Sequence, residues 1–123
     1  MKLSKNFSLN EFHSKDGAEM PAPVFSNIIK LAKDLQVIRD ECGCAIHINS
    51  AYRSESHNKA IGGVSNSKHL LGMACDLVSR NHTPKQLYDI IEHLIGQGRI
   101  SGNALGLYNS FVHYDLREKK ARW

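Results

Sequence analysis

The only long periodic stretch in this chain covers residues 24 to 41, and it limits the folds available. Val24, Ile28, Leu31, Leu35 and Ile38 recur at the three- and four-residue spacing of a helix with one apolar face. Pro21-Ala22-Pro23 sets it off from a short N-terminal segment, and Gly43 stops it. Such a stripe must be laid against another layer. Most of the remaining apolar residues fall in short strand-like runs, so the natural partner is a small sheet.

Those runs can be placed. Ala45-Ile46-His47-Ile48-Asn49 alternates with β-branched residues and predicts a strand. Ser56 to Ile61 predicts one or two helical turns ended by Gly62-Gly63, and Gly63 to Lys68, rich in Ser, Asn and Gly, predicts a loop. Ala74 to Val78 reads as a second strand. Thr83-Pro84-Lys85-Gln86 combines an N-cap threonine, a first-turn proline and a glutamine three residues after the cap. That helix should run to about Ile95 and end at Gly96 or Gly98. Ala104–Tyr108 and Phe111–Leu116 predict two short strands joined by Asn109-Ser110. The order gives an α+β fold, a small and mostly antiparallel sheet covered by helices. With no repeats and no linker, residues 1–123 read as one domain, long enough to bury roughly 65–70% of the surface of its unfolded chain.

Composition narrows the function classes. Apolar residues make up 41% and charged residues 23%, a globular balance, and no apolar run reaches the length of a membrane span. Membrane insertion is not expected. Behind Met1-Lys2-Leu3-Ser4-Lys5-Asn6 there is no apolar run of the kind a secretory signal needs, so cytoplasmic synthesis is expected. Sixteen basic against twelve acidic residues give a net charge of +4, which suits an anionic partner. No basic stripe interleaved with aromatics accompanies it, so a nucleic-acid partner is not expected. Arg117-Glu118-Lys119-Lys120-Ala121-Arg122 reads as a solvated tail. The odd cysteine count and the absence of C-x-x-C spacing predict free thiols in a reducing compartment, with Cys75 as core filling.

The chemistry candidates are among the seven histidines and the aspartates. Gly72 and the strand pattern after it rule out a helix linking His69 to Asp76. A loop running into a strand would bring His69 close to Asp76. His113 and Asp115, two apart on the last long strand, point to one face. If the two strands are neighbours, His69, Asp76 and His113 converge as two imidazoles and one carboxylate. That set leaves a fourth zinc position open for water. The alternative is a loop histidine and a capping aspartate.

The block Ser67-Lys68-His69-Leu70-Leu71-Gly72-Met73-Ala74-Cys75-Asp76 has the pattern S-x-H-x-x-G-x-A-x-D. It resembles the signature of the zinc D-alanyl-D-alanine carboxypeptidases and related peptidoglycan peptidases, whose metal-site fold is shared with hedgehog domains. Ser50-Ala51-Tyr52-Arg53 looks like that family's S-x-Y-R segment. Gly106-Leu107-Tyr108 with Phe111-Val112-His113-Tyr114-Asp115 looks like its closing block. Leu3 to Phe12 is similar to the opening of short phage and prophage members.

The resemblance implies a zinc (Zn2+) peptidase acting on peptidoglycan stem peptides, either as a D-Ala-D-Ala carboxypeptidase or as an L-Ala-D-Glu endopeptidase, with zinc-activated water as nucleophile. His69, Asp76 and His113 would be the ligands. Arg53 would steady the oxyanion or the substrate carbonyl, and Ser67 would bind a substrate carboxylate. Well-known relatives carry a carboxylate three residues before the second zinc histidine, or a histidine two before it, as general base. Ser110 and Phe111 stand there, so the base role passes to Asp115 unless Asp115 orients a ligand instead. His57 is a further polar candidate; His13, His47, His82 and His93 read as ordinary residues. The wall would be reached through a holin or as part of a phage particle. The competing reading is a degenerate zinc-binding module that recognises the wall or serves a phage particle structurally.

Overall fold

Helix α1 spans Ala22–Cys42, taking in Ala22 and Pro23 ahead of the predicted start at residue 24, with Pro21 as its N-cap. Gly43 closes it in the left-handed conformation (φ 67°), its N–H donating to the Arg39 carbonyl at 3.0 Å. All five positions of the apolar stripe are buried. In chain order there follow β1 (Ile46–Ser50), α2 (Glu55–Ala60), β2 (Ala74–Ser79), α3 (Pro84–Gly96), β3 (Ala104–Leu107), β4 (Val112–Asp115) and β5 (Ala121–Arg122). The computed structural model describes residues 1–123. Thr83 and Gln86 form the predicted reciprocal cap of α3.

The strands form one sheet in the order β1-β2-β4-β3-β5, antiparallel except where β5 runs parallel to β3. The α+β architecture is thus as the sequence predicts. The register sorts the side chains onto two faces. Cys75, Leu77, Leu105, Val112 and Tyr114 alternate onto the face that joins Ile28, Leu31 and Leu35 of α1 and Leu87, Ile91 and Leu94 of α3 in the core. Ala74, Asp76, His113, Asp115, Ala104 and Gly106 take the opposite face. Asp76 stands directly across from His113, and His113 directly across from Gly106.

One carboxylate lies on the helix side. Asp34 of α1 accepts from the Tyr114 hydroxyl at 2.7 Å and from the hydroxyl and amide of Ser101. Burial, with Asp34 beside it, pushes the Tyr114 phenol above its ordinary range. The network fastens the loop before β3 to α1.

The tail differs from its predicted role. Residues 117–122 are part of the fold: β5 extends the sheet, Arg122 pairs with Glu92 of α3 at 2.7 Å, and Arg117 turns back onto Asp115. A charge run counts as solvated only while it lacks partners, and two of these arginines have them. Short 3₁₀ turns at Leu9–Phe12 and Lys68–Leu71 also escape the sequence pattern, because runs of four residues carry no period. Cys42, Cys44 and Cys75 are all unbridged, and Cys75 is wholly buried.

Candidate metal centre

The Ser67 to Asp76 block is a turn that delivers a histidine to a strand. The Ser67 hydroxyl accepts from the His69 amide at 3.2 Å and caps the 3₁₀ turn Lys68–Leu71. Gly72 ends the turn at φ 71°, in the left-handed region. A side chain there is excluded twice over, since a Cβ would come within 2.7 Å of a Val24 methyl and 2.9 Å of the Val24 carbonyl. β2 then starts at Ala74 and sets Asp76 on the open face.

His69, Asp76 and His113 each offer a ligand atom, and these atoms lie within 4.8 Å of one another. His69 Nε2 is 3.3 Å from Asp76 Oδ1, and His113 Nδ1 is 3.1 Å from the same oxygen. The opposite nitrogen of each ring is also held. His69 Nδ1 is 2.7 Å from the Ala51 carbonyl, which can only accept, so Nδ1 carries the hydrogen and Nε2 is left with its lone pair. His113 Nε2 donates to Asp115 Oδ2 at 2.8 Å, which leaves Nδ1 for a metal. Two imidazole nitrogens and a carboxylate oxygen, opening onto a cavity of about 500 Å³, are a donor set that fits zinc with a free fourth position.

Charge is balanced inside this group. Burial raises the Asp76 pKa, but the His113 and His69 imidazoles beside it outweigh that and hold the carboxyl below the usual carboxylate range. Burial likewise lowers the His113 pKa, and Asp115 and Asp76 outweigh it and raise the imidazole. In the metal-free protein a proton therefore favours the place a cation would take between these groups.

Asp115 is completely buried, flanked across the sheet by Ala74 and Ala104. Besides His113 it takes Arg117 Nε at 3.0 Å, Arg117 Nη2 at 2.9 Å and the Arg117 amide at 3.1 Å. Burial pushes it up, and the His113 and Arg117 hydrogen bonds bring it down to about 2. A carboxylate engaged on both oxygens is placed to hold a histidine ring, and it has no free lone pair directed at a water in the cavity. Ser110 is exposed on the β3–β4 turn, off the cavity wall, while Phe111 lines it.

Arg53 and Ser67 also line the cavity. Arg53 donates to Asp76 Oδ2 at 3.2 Å, to Ser50 Oγ at 3.1 Å and to Asn58 Oδ1 at 3.3 Å. That engages three of the five N–H donors of a guanidinium, and the rest are free for a substrate oxygen. His57 forms no part of the cavity wall, and neither do His13, His47, His82 or His93. His82 instead bonds Ser79 at 2.7 Å beside Cys44.

Several residues of the site were not legible as such in the sequence. Asn58, almost wholly buried, holds Arg53 and also donates to the Val64 carbonyl at 2.9 Å. Gly63 leaves room for it, because a Cβ there would meet Asn58 Oδ1 at 2.1 Å. Arg117 sits two residues past Asp115, and that period-two spacing was the available signal. Tyr108 and Trp123 complete the wall, with the indole lying over Gly106 so closely that a Cβ would be 2.5 Å from it.

The family model described as Peptidase M15 matches residues 4–115. A comparison with curated proteins finds no match.

Proposed function

The chain belongs to the Peptidase M15 family, a family of zinc-dependent metallopeptidases, and on that premise we propose that it hydrolyses peptidoglycan stem peptides, at the terminal D-Ala-D-Ala bond or at the L-Ala-D-Glu bond. The observation that carries this reading is the convergence of His69 Nε2, Asp76 and His113 Nδ1 on one open cavity, with the far nitrogen of each ring already tethered.

In this reading His69, Asp76 and His113 hold zinc, which supplies a Lewis acid that acidifies water and polarises a carbonyl. Arg53 directs its free N–H groups at the substrate carbonyl oxygen and steadies the charge that develops there. Asn58 and Ser50 fix the plane of that guanidinium. Ser67, whose oxygen already accepts from the His69 amide, keeps its hydroxyl hydrogen for a substrate carboxylate. Asp115, locked by Arg117, orients His113.

A second reading rests on one observation. The carboxylates lining the cavity are Asp76 and Asp115, and both are engaged. A module that binds zinc and recognises the wall without cutting it would look the same. No helix is long and apolar enough to cross a membrane. We further propose that the protein reaches the wall through a holin or with a phage particle.

The deciding experiment is mass spectrometry of purified peptidoglycan after incubation with zinc-loaded protein, alongside a chelated control. Chelator-sensitive loss of a terminal D-Ala identifies the carboxypeptidase, and release of stem peptides identifies the endopeptidase. No product from protein with zinc demonstrably bound contradicts the peptidase reading and favours the binding module.

A further inference from the structure

One wall of the metal cavity is aromatic, and the proposed chemistry leaves it unused. Tyr108 and Phe111 stack with ring centroids 4.4 Å apart and planes 8° from parallel. Trp123 Nε1 donates to the Tyr108 hydroxyl at 2.8 Å, and the indole centroid lies 5.1 Å from that of His113. Arg117 stands over the indole at 5.3 Å. Tyr108 is 41% exposed and Trp123 45%. Rings so exposed beside a polar cavity are a recognition surface more often than a packing one.

These rings are also held still. The backbone of Trp123 is tied on both sides to β3, its amide to the Leu105 carbonyl at 3.2 Å and its carbonyl to the Leu107 amide at 2.7 Å. Arg122, just before it, is clamped to Glu92. Gly106 leaves the indole room to lie flat on the sheet. Presenting rigid rings to solvent lowers the ordering cost of binding a rigid, flat ligand.

We propose that Tyr108, Phe111 and Trp123 form a subsite for a sugar ring of the glycan strand, and that this subsite selects the peptide bond next to the sugar. The inference rests on the peptidoglycan reading above. A stem peptide carries methyl groups, carboxylates and an amine but no ring. The N-acetylated hexoses of the glycan offer a C–H face that stacks on aromatics and hydroxyls that meet the polar edges of Tyr108 and Arg117. The placement also fixes the bond. A sugar on Trp123 lies beside His113, and an extended peptide advances about 3.5 Å per residue. The L-Ala-D-Glu bond, one residue from the sugar's lactyl group, then falls at the metal ligands. The D-Ala-D-Ala bond, three residues further along, falls about 10 Å beyond them. Hydrolysis breaks the amide C–N bond, leaving the water oxygen on the L-Ala carboxyl and a proton on the D-Glu amine.

Trp123 is the sole tryptophan, so its fluorescence reports on this wall without any turnover. Zinc-loaded protein is titrated with the disaccharide of N-acetylglucosamine and N-acetylmuramic acid, and separately with sugar-free stem pentapeptide, which carries both bonds. A saturable change with the disaccharide is expected, weakened about tenfold in Tyr108→Ala and in Phe111→Leu, which removes a ring while keeping an apolar side chain. The paired assay compares cleavage of the pentapeptide with and without its disaccharide. At least about a tenfold preference for the sugar-bearing substrate, at L-Ala-D-Glu, is expected. Absence of a saturable change with the disaccharide, or equal cleavage of the two substrates, overturns the subsite. Disaccharide binding with no hydrolysis of either substrate upholds the sugar-binding surface but overturns the peptidase reading and, with it, the selection of a bond.

Discussion

The two faces of the sheet use the same strands for opposite purposes, and β2 shows this within two residues. Leu77 points to the helices and is fully buried among side chains of α1 and α3. Asp76, its neighbour, points to the cavity and is shielded by polar partners: two imidazoles and a guanidinium. The helix face gains stability by removing carbon from water, about 1.5–3 kcal/mol for a side chain such as Leu77. The open face gathers carboxylates, imidazoles and arginines that are costly to bury singly and tolerable only because each satisfies the next. Stability is concentrated on one side and chemistry on the other, so a change on one face should read out differently from a change on the opposite face.

The sharpest break of that contrast is Asp76→Ala. Zinc content, measured by elemental analysis, should fall to none and hydrolysis should vanish, while far-UV circular dichroism keeps the signature of the fold. Next, Leu77→Ala should lower unfolding free energy in urea by about 2–5 kcal/mol while the folded fraction still binds zinc. Loss of zinc from a stable Leu77→Ala protein would erase the distinction between the faces. Asp115→Asn should weaken zinc binding by about 10–100-fold in chelator competition, because the His113 ring loses its strongest acceptor.

The pH dependence follows from His113. Its pKa is raised above the ordinary 6.5, so a proton competes with metal at Nδ1. Zinc affinity should fall up to about tenfold per pH unit as the pH drops below that raised value. In the metal-free protein the sign reverses. The protonated ring stabilises the fold fully below pH 6.5, and that contribution is lost as pH rises through the raised pKa. Chelator competition and metal-free urea melts across pH 5 to 9 should therefore show opposite trends. The smallest effect belongs to a residue on neither face. Lys85→Ala breaks an exposed pair with Asp89 on α3 and should leave the midpoint of the same urea melts unchanged within error.

The helix face was almost entirely legible in the sequence. Five stripe positions in α1 and the cap of α3 are periodic or local signals, and their partners need only be apolar. The open face was legible where a motif fixes spacing, as in the turn from Ser67 to Asp76, and where period two puts His113 and Asp115 on one side. It was not legible where long-range pairing decides. Arg117 and Arg122 look like a solvated charge run until Asp115 and Glu92 are known to lie beside them. Asn58 looks like any helix-surface amide until Gly63 lets it reach Arg53. The part played by Asp115 turned on the same kind of contact, since only the distances to His113 and Arg117 show both of its oxygens engaged.

The most direct test is anomalous diffraction at the zinc absorption edge from crystals equilibrated with zinc. A single strong peak is predicted among His69 Nε2, an Asp76 carboxylate oxygen and His113 Nδ1, with Asp115 still bonded to His113 Nε2. A peak at any other cluster, a peak reached through His113 Nε2, or no peak in zinc-equilibrated crystals would contradict the assignment of the open face as a metal centre.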